Sequence, residues 1–209
     1  MSKRTESAAA LPPGSHPAPT ATATSLPNIL TYARIAAVPA LVACFFLLRG
    51  DWANWLALAI FVAAGLTDIL DGYVARAWKQ QSLLGRMLDP IADKLLVSIA
   101  VLMLVSEGII GGWSIWAAVV ILCREILVSG LREFLAELNV GVPVTRLAKS
   151  KTAMQMVAIG ILLTGPAGEK VLPGVLTIGL GCLWLSALLT LYTGYDYLKA
   201  GLSHLIEEA

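Results

Sequence analysis

Residues 68–93 read DILDGYVARAWKQQSLLGRMLDPIAD, and this stretch decides the fold. It holds four aspartates in two pairs: Asp68 and Asp71 are three residues apart, and Asp89 and Asp93 are four apart. Residues three or four apart lie on the same face of an α-helix, so each pair faces one way. The polar run between the pairs marks a turn. The stretch therefore predicts a helical hairpin with an acidic pair on each arm.

The turn of the predicted hairpin falls near Gln80. Asp71 lies nine residues before Gln80 and Asp89 nine after it, whereas Asp68 lies twelve before and Asp93 thirteen after. In an antiparallel hairpin these positions form two levels, about 5 Å apart at a rise of 1.5 Å per residue. The four carboxylates are therefore expected to converge near the turn.

The composition of the whole chain is that of a membrane protein. Of its 209 residues, 57% are hydrophobic and 14% are charged, and the mean hydropathy is +0.77. A soluble domain is usually about 45–50% apolar and about 25% charged. The net charge of +1 gives no indication of a nucleic-acid partner. The three cysteines lie apart in apolar runs, which argues against a zinc site or a disulfide framework.

Six stretches are long and apolar enough to predict transmembrane helices in an all-α, polytopic fold. The third and fifth must extend into the polar flanks at 83–90 and 146–151 to reach spanning length. Residues 1–25 are expected to form a disordered cytoplasmic tail, residues 26–200 the membrane domain, and residues 201–209 a short C-terminal tail or helix. The predicted spans are Ile29–Leu48, Trp55–Val74, Ile91–Val105, Trp113–Leu135, Thr152–Thr164 and Val171–Tyr192.

The positions of Lys and Arg predict the orientation, because positive loops stay in the cytoplasm. The second and fourth breaks between spans hold six of these residues, whereas the first, third and fifth hold only Arg49 and Lys170. Both termini and the aspartate hairpin are therefore expected to face the cytoplasm. The six residues are Arg76, Lys79, Arg86, Arg146, Lys149 and Lys151.

Four aspartates at the edges of membrane spans need compensation. Each costs about 2.5–3.5 kcal/mol at mid-helix, so four would cost on the order of 10 kcal/mol. A divalent cation removes their repulsion, and all-oxygen ligation without His or Cys suits Mg²⁺ or Mn²⁺. Taken singly, Asp89 before Pro90 is often only a helix cap, and pairing with Arg76 or Lys94 would explain Asp68. Because the four aspartates are expected at matching depths on the two arms of the hairpin, a metal site explains them better than four separate structural roles.

These same residues carry a resemblance to a known family. Asp68-x2-Asp71-Gly72-x2-Ala75-Arg76-x8-Gly85-x3-Asp89-x3-Asp93 resembles the signature of the CDP-alcohol phosphatidyltransferases, with all eight residues present at the family spacing. The resemblance implies a homodimer with six transmembrane helices and a two-metal site on the four aspartates. It also implies that Asp93 is the general base, and that Asp68, Gly72, Ala75, Arg76 and Gly85 help to bind the CDP-linked lipid.

Three further stretches resemble the phosphatidylglycerophosphate synthase branch of that family. They are LPNILTYAR at 26–34, REILVSGLR at 124–132 and KSKTAMQ at 149–155. The resemblance implies CDP-diacylglycerol as donor, with Asn28, Thr31 and Arg34 at its nucleotide end. It implies glycerol 3-phosphate as acceptor and a bacterial inner membrane location, with the active site open to the cytoplasm.

Basic residues support an anionic acceptor independently of the resemblance. Arg124 lies deep in the fourth span, and Glu125 beside it is expected on a different helix face, so a buried Arg without a carboxylate predicts an anionic ligand. Lys149, Arg132 and Lys151 lie nearer the cytoplasmic surface and could complete a phosphate pocket, although cytoplasmic Lys and Arg are ordinary in membrane proteins.

Three other functions compete with this interpretation. The same chemistry with phosphatidylglycerol, serine or an inositol phosphate as acceptor changes only the second substrate. A divalent-metal transporter would need acids at the bilayer midplane on several helices, whereas here they lie on one hairpin near one surface. A structural membrane subunit leaves the four aspartates unexplained.

Overall fold

The computed structural model describes residues 26–78, 83–137 and 146–207. Within these helices the side chains at 26–27, 69–78, 83–84, 86, 136–137, 146–149 and 196–207 lie outside the description. Every regular element in the described ranges is an α-helix, which confirms the predicted all-α class. The tail predicted at 1–25 lies outside the described residues.

Seven helices make up the described chain, and each predicted span overlaps one of them. The helix α6 fills the fifth predicted break and ends at Val171, so the sixth predicted span begins before α7. The helices are α1 (Leu26–Leu47), α2 (Asp51–Trp78), α3 (Leu83–Ser106), α4 (Ser114–Glu137), α5 (Arg146–Leu163), α6 (Gly165–Val171) and α7 (Val175–Glu207).

Three of the described helices are long and apolar enough to cross a membrane. They contain the stretches Asn28–Leu47, Ser114–Leu135 and Val175–Tyr195, with mean hydropathies of 1.8–1.9. The helix α5 adds a shorter apolar stretch at Ser150–Leu163. Large apolar side chains such as Leu102 lie exposed on the helices, as a lipid-facing surface requires. The count of six spans and the orientation stay predictions.

Three helix boundaries bear on the sequence analysis. The helices α3 and α5 begin at Leu83 and Arg146, so both extend into their polar flanks as predicted. Because Pro90 lies inside α3, Asp89 is two turns from the helix start, and the interpretation of Asp89 as a cap is wrong. The helix α7 runs without a break to Glu207, so the boundary predicted at residue 201 falls inside it.

The helix α1 packs against both α2 and α3, whereas α2 and α3 contact each other only slightly. On the other side of the bundle, α7 packs against α4 and α5. Small residues of the core let these backbones approach closely, which is how helices associate where lipid removes the hydrophobic driving force. They include Ala57, Ala64, Ala100, Ala117, Ala158 and Ala187.

Polar contacts fix the end of the bundle where α2 begins. Lys170 donates to both carboxylate oxygens of Asp51 at 2.7 and 2.8 Å. Gly165, the first residue of α6, has a φ of +52°, and a Cβ there would lie 2.3 Å from Asn54 Nδ2, so any other residue would be strained. Asp51 and Asp68 are separated by 17 residues of α2, about 25 Å along a helix, so this end is remote from the aspartates.

Candidate active site

The centre of the site is Arg34, a residue of α1 that reaches both arms of the aspartate hairpin. Its Nη1 lies 2.7 Å from Asp93 Oδ1 on α3, and its Nη2 lies 3.3 Å from Asp68 Oδ1 on α2. The Arg34 side chain is 1% exposed, whereas those of Asp68 and Asp93 are 48% and 45% exposed. A buried cation thus holds two half-exposed carboxylates side by side.

The third aspartate is held one helical turn away on the same face of α1. Thr31 Oγ1 donates a hydrogen bond to Asp89 Oδ1. The Asp93 carboxylate interacts electrostatically with both Asp68 and Asp89, so three of the four predicted carboxylates converge. The shared contact of Asp68 and Asp93 with Arg34 agrees with their predicted common depth. The side chain of Asp71 lies outside the described part of the chain.

The donor set suits a hard divalent cation in its chemistry. Asp68, Asp89 and Asp93 offer oxygen ligands only, beside the hydroxyl of Thr31, and they come from two helices held together by a third. Among the described side chains, no three His, Cys, Asp or Glu residues form a cluster close enough to hold one ion. Metal ligation by these aspartates and Asp71 therefore stays a prediction, although the carboxylates present fit it.

The ion pairs differ from the alternatives suggested for Asp68. Its described partner is Arg34, whereas Lys94 lies 3.7 Å from Glu133 on α4. The side chain of Arg76, the other suggested partner, lies outside the described residues.

The residues predicted to bind the lipid donor fall in two groups. Asn28, Thr31 and Arg34 lie on one face of α1 and are each 1% exposed, so they present a buried polar stripe to the aspartates. Gly85 is buried at the start of α3. Gly72, Ala75 and Arg76 lie on α2 with their side chains outside the described part.

A second polar cluster joins α4, α5 and α7. Lys151 Nζ donates to Glu125 Oε1, and Arg124 Nη1 lies 3.4 Å from the same oxygen. Arg124 Nη2 also donates to Thr193 Oγ1 on α7 at 3.3 Å. The expectation that Arg124 has no carboxylate partner is wrong, because the long side chains of Arg124 and Glu125 meet although the two residues are adjacent on α4.

The remaining predicted acceptor residues are less closely placed. Arg132 lies exposed on α4, two turns from Arg124, and no contact among the described residues joins it to the cluster. Lys149 lies in the first turn of α5, the helix that also holds Lys151, but its side chain lies outside the description. The structure therefore brings together Arg124 and Lys151, with Glu125 between them.

Comparison with known proteins places this arrangement in a family. The family model for CDP-alcohol phosphatidyltransferases matches residues 24–192, which include the aspartate site and Arg124, Glu125 and Lys151. The chain belongs to the CDP-alcohol phosphatidyltransferase family. The resemblance noted in the sequence is thereby confirmed.

Curated relatives of this phosphatidyltransferase carry one name. Proteins from Cereibacter sphaeroides, Rickettsia bellii and Pectobacterium atrosepticum are each called CDP-diacylglycerol–glycerol-3-phosphate 3-phosphatidyltransferase. They are 39%, 46% and 40% identical to this chain, over 88%, 84% and 88% of its length. The alignments cover 98%, 94% and 98% of the relatives, so they compare nearly whole proteins.

Sequence reasoning missed three sets of contacts in this phosphatidyltransferase. The direct link from Arg34 to the aspartates was missed, although Thr31 and Arg34 show the same three-residue spacing as Asp68 and Asp71. Glu125 and Thr193 were missed as partners of Arg124. The signal for Thr193 was a stripe of small hydroxyl residues on α7, at 186, 190 and 193, which is unusual on a buried helix face.

One cavity among the described residues lies at the opposite end of the phosphatidyltransferase. It has a volume of about 310 Å³ and is lined in part by Arg49, Asp51, Asn54 and Glu107. Because Asp51 is about 25 Å along α2 from Asp68, this cavity is not part of the aspartate site.

Proposed function

We propose that this chain transfers the phosphatidyl group from CDP-diacylglycerol to sn-glycerol 3-phosphate, giving phosphatidylglycerophosphate and CMP. The single observation that carries the proposal is the set of converging aspartates around Arg34, in a chain that belongs to the CDP-alcohol phosphatidyltransferases. The names of the relatives support glycerol 3-phosphate as acceptor.

Asp68, Asp71, Asp89 and Asp93 would hold Mg²⁺ or Mn²⁺, as two ions in each active site. When bound, these ions supply positive charge that neutralises the diphosphate and stabilises the leaving CMP. The carboxylates of Asp68 and Asp93 are already oriented by Arg34, so the site spends little ordering free energy when its ligands arrive.

Asp93 would act as the general base. Its carboxylate takes the proton from the acceptor hydroxyl, whose oxygen attacks the phosphorus that bears diacylglycerol. The bond from that phosphorus to the CMP oxygen breaks, and CMP leaves. The contact from Arg34 at 2.7 Å holds the Asp93 carboxylate in place for this transfer, and half-exposure leaves it accessible to the acceptor.

Two sets of residues would position the substrates. The donor's nucleotide end would lie along Asn28, Thr31 and Arg34 of α1, with Gly72, Ala75, Arg76 and Gly85 of the hairpin giving it room and charge. The acceptor's phosphate would lie at Arg124 and Lys151, where guanidinium and ammonium donors meet, with Arg132 and Lys149 nearer the surface.

The same proposal includes a place for the enzyme in the cell. It would be a homodimer in the bacterial inner membrane with six transmembrane helices and both termini in the cytoplasm. The excess of Lys and Arg in the second and fourth breaks supports this orientation. The active site would then take glycerol 3-phosphate from the cytoplasm and the lipid donor from the membrane.

The test is CMP release by detergent-purified protein with CDP-diacylglycerol and Mg²⁺. Release that depends on glycerol 3-phosphate, and not on serine, phosphatidylglycerol or an inositol phosphate, is the expected result. Release only with another alcohol would contradict the acceptor. No release with any alcohol would contradict the reaction itself and direct attention to metal flux in liposomes.

A further inference from the structure

The cluster of Arg124, Glu125 and Lys151 contains one acid between two bases. Glu125 Oε1 accepts from Lys151 Nζ and lies 3.4 Å from Arg124 Nη1, so a single carboxylate oxygen faces both cations. The Lys151 side chain is 1% exposed and that of Arg124 is 13% exposed. Glu125 is 27% exposed, which makes it the member of the cluster with most access to solvent.

Two cations of the cluster share one carboxylate oxygen, so a ligand with more acceptor oxygens and more negative charge can compete for them. A phosphate monoester carries close to two negative charges at pH 7 and offers three acceptor oxygens. It can therefore satisfy both cations at once, whereas the one oxygen of Glu125 is shared between them.

Three polar atoms of α5 and α7, one to two turns from the cluster, have no hydrogen-bond partner among the described residues. Gln155 lies four residues after Lys151 on α5, and Thr190 lies three residues before Thr193 on α7. Gln155 Oε1, Thr190 Oγ1 and Ser186 Oγ are buried and make no hydrogen bond within the described part of the chain. Buried polar groups are normally paired, so a polar ligand between α5 and α7 would supply the hydrogen bonds that these atoms lack.

We propose that Glu125 occupies the place of the acceptor's phosphate in the unliganded enzyme, and that a dianionic phosphate must displace it from Arg124 and Lys151. This inference rests on the proposed function and adds a specificity-determining residue to it. An acceptor without a phosphate cannot displace the carboxylate, because it brings no charge to replace it. Glu125 thus selects phosphorylated acceptors, because weaker anions do not displace it from the two cations.

The proposal predicts that removing the Glu125 charge strengthens phosphate binding, whereas removing one partner of an ordinary structural ion pair would weaken it. In Glu125→Gln the competing carboxylate is gone, so inorganic phosphate should bind about tenfold more tightly than to the wild type. The KM for glycerol 3-phosphate should fall while kcat changes less. A residue that only holds Arg124 and Lys151 in position would give weaker phosphate binding and a higher KM.

The measurement is calorimetric titration of the detergent-purified full chain with inorganic phosphate, with Glu133→Gln as matched control. Glu133 lies on the same helix and faces Lys94 at 3.7 Å, so its substitution removes an equal charge away from the cluster and should leave phosphate affinity unchanged. Unchanged or weaker phosphate binding in Glu125→Gln overturns the proposal, as does the absence of phosphate binding to every variant.

A second variant covers the case in which Glu125→Gln does not fold. Glu125→Asp keeps the charge but shortens the side chain, so it should compete less well and raise phosphate affinity by about two- to fivefold. Unchanged or lower affinity in a folded Glu125→Asp would also overturn the proposal. CMP release by the wild type with glycerol 3-phosphate tests the reaction separately, so a failure of this inference and a failure of the proposed function are distinguishable.

Discussion

At the scale of single residues, Arg34 offsets the negative charge of two aspartates in the acidic site. Its guanidinium supplies one positive charge to Asp68 and Asp93, which would otherwise repel each other across two helices. The neighbouring carboxylate of Asp89 is held by a neutral hydroxyl instead. Negative charge therefore still exceeds positive charge among these described groups, which is the condition that favours capture of a divalent cation.

Asp93→Asn is predicted to abolish turnover and keep the fold. The amide cannot take a proton from the acceptor, and loss of a general base lowers kcat by at least about a hundredfold. CMP release and thermal unfolding in detergent measure the two effects. The control is Asp51→Asn at the other end of α2, which should keep its activity, and near-normal turnover in Asp93→Asn would remove Asp93 as the base.

Arg124→Ala is predicted to weaken acceptor binding selectively. A charged hydrogen bond is worth about 1.5–3 kcal/mol, so the KM for glycerol 3-phosphate should rise by at least about tenfold. The KM for CDP-diacylglycerol should stay within about twofold, because the proposed donor site lies along α1 and not at Arg124. Initial rates with each substrate varied in turn make the comparison, and Arg49→Ala is the control. An unchanged acceptor KM would contradict the phosphate pocket.

At the residue scale, the sequence predicted the convergence of the aspartates but not the contacts made by Arg34 and Glu125. The spacing of Asp68, Asp71, Asp89 and Asp93 predicted convergence because helical periodicity alone places them. The partners Arg34 and Glu125 depend on how distant helices pack and how long side chains bend, and neither is encoded in local spacing. Adjacent helix positions differ by about 100° in direction, so the meeting of Arg124 and Glu125 contradicts a simple helical wheel.

At the scale of elements, α1 acts as the wedge that joins the two arms of the hairpin. Runs of apolar residues predicted α2 and α3, and the polar flank at 83–90 predicted that α3 extends beyond its apolar run. The sequence did not predict that α1 would lie between them, because apolar periodicity shows which residues are buried but not against which helix. The short α6 was also missed, since seven residues containing Pro166 and Gly168 are typical of a loop.

The start of α7 provides a pH-dependent prediction. Glu169 accepts hydrogen bonds from the backbone N–H groups of Gly174 at 2.6 Å and Leu176 at 3.1 Å, which hold the pKa of its carboxyl below the usual value of 4.5. A lowered pKa means that the ionised group stabilises the fold above pH 4.5, and that this stabilisation is lost as the pH falls through the folded-state pKa.

Glu169→Gln should therefore lower the Tm by a few degrees at pH 7 and by less near pH 4. Thermal unfolding in detergent at a series of pH values measures the difference between the wild type and the variant. Lys170→Gln is the control, because it removes the salt bridge to exposed Asp51 and leaves the hydrogen bonds of Glu169 intact. A difference that does not shrink in acid would contradict the capping role.

At the scale of the whole molecule, the aspartate site and the Asp51–Lys170 contact lie at opposite ends of α2. The orientation rule assigns the first end to the cytoplasm and the second to the outer surface. Exposed Trp52 and Trp113 lie at the second end, where an aromatic belt is expected. The fold class and the family could thus be predicted from composition and one motif.

Single cysteines test this topology in living cells. Arg49→Cys and Glu107→Cys, in a chain without its three native cysteines, should react with a membrane-impermeant maleimide added to spheroplasts. Ser150→Cys should react only after the membrane is permeabilised, because the proposed orientation places the start of α5 in the cytoplasm. Labelling of Ser150→Cys in intact spheroplasts would reverse the orientation and place the aspartates outside.

The most direct test of the central claim follows the acceptor into the lipid. Radiolabelled glycerol 3-phosphate is incubated with CDP-diacylglycerol, Mg²⁺ and the purified wild type, and the label in the lipid extract is compared with the CMP released. The account predicts one labelled phosphatidylglycerophosphate for each CMP, and neither product from Asp93→Asn. CMP release without label in the lipid, or equal incorporation by Asp93→Asn, would contradict it.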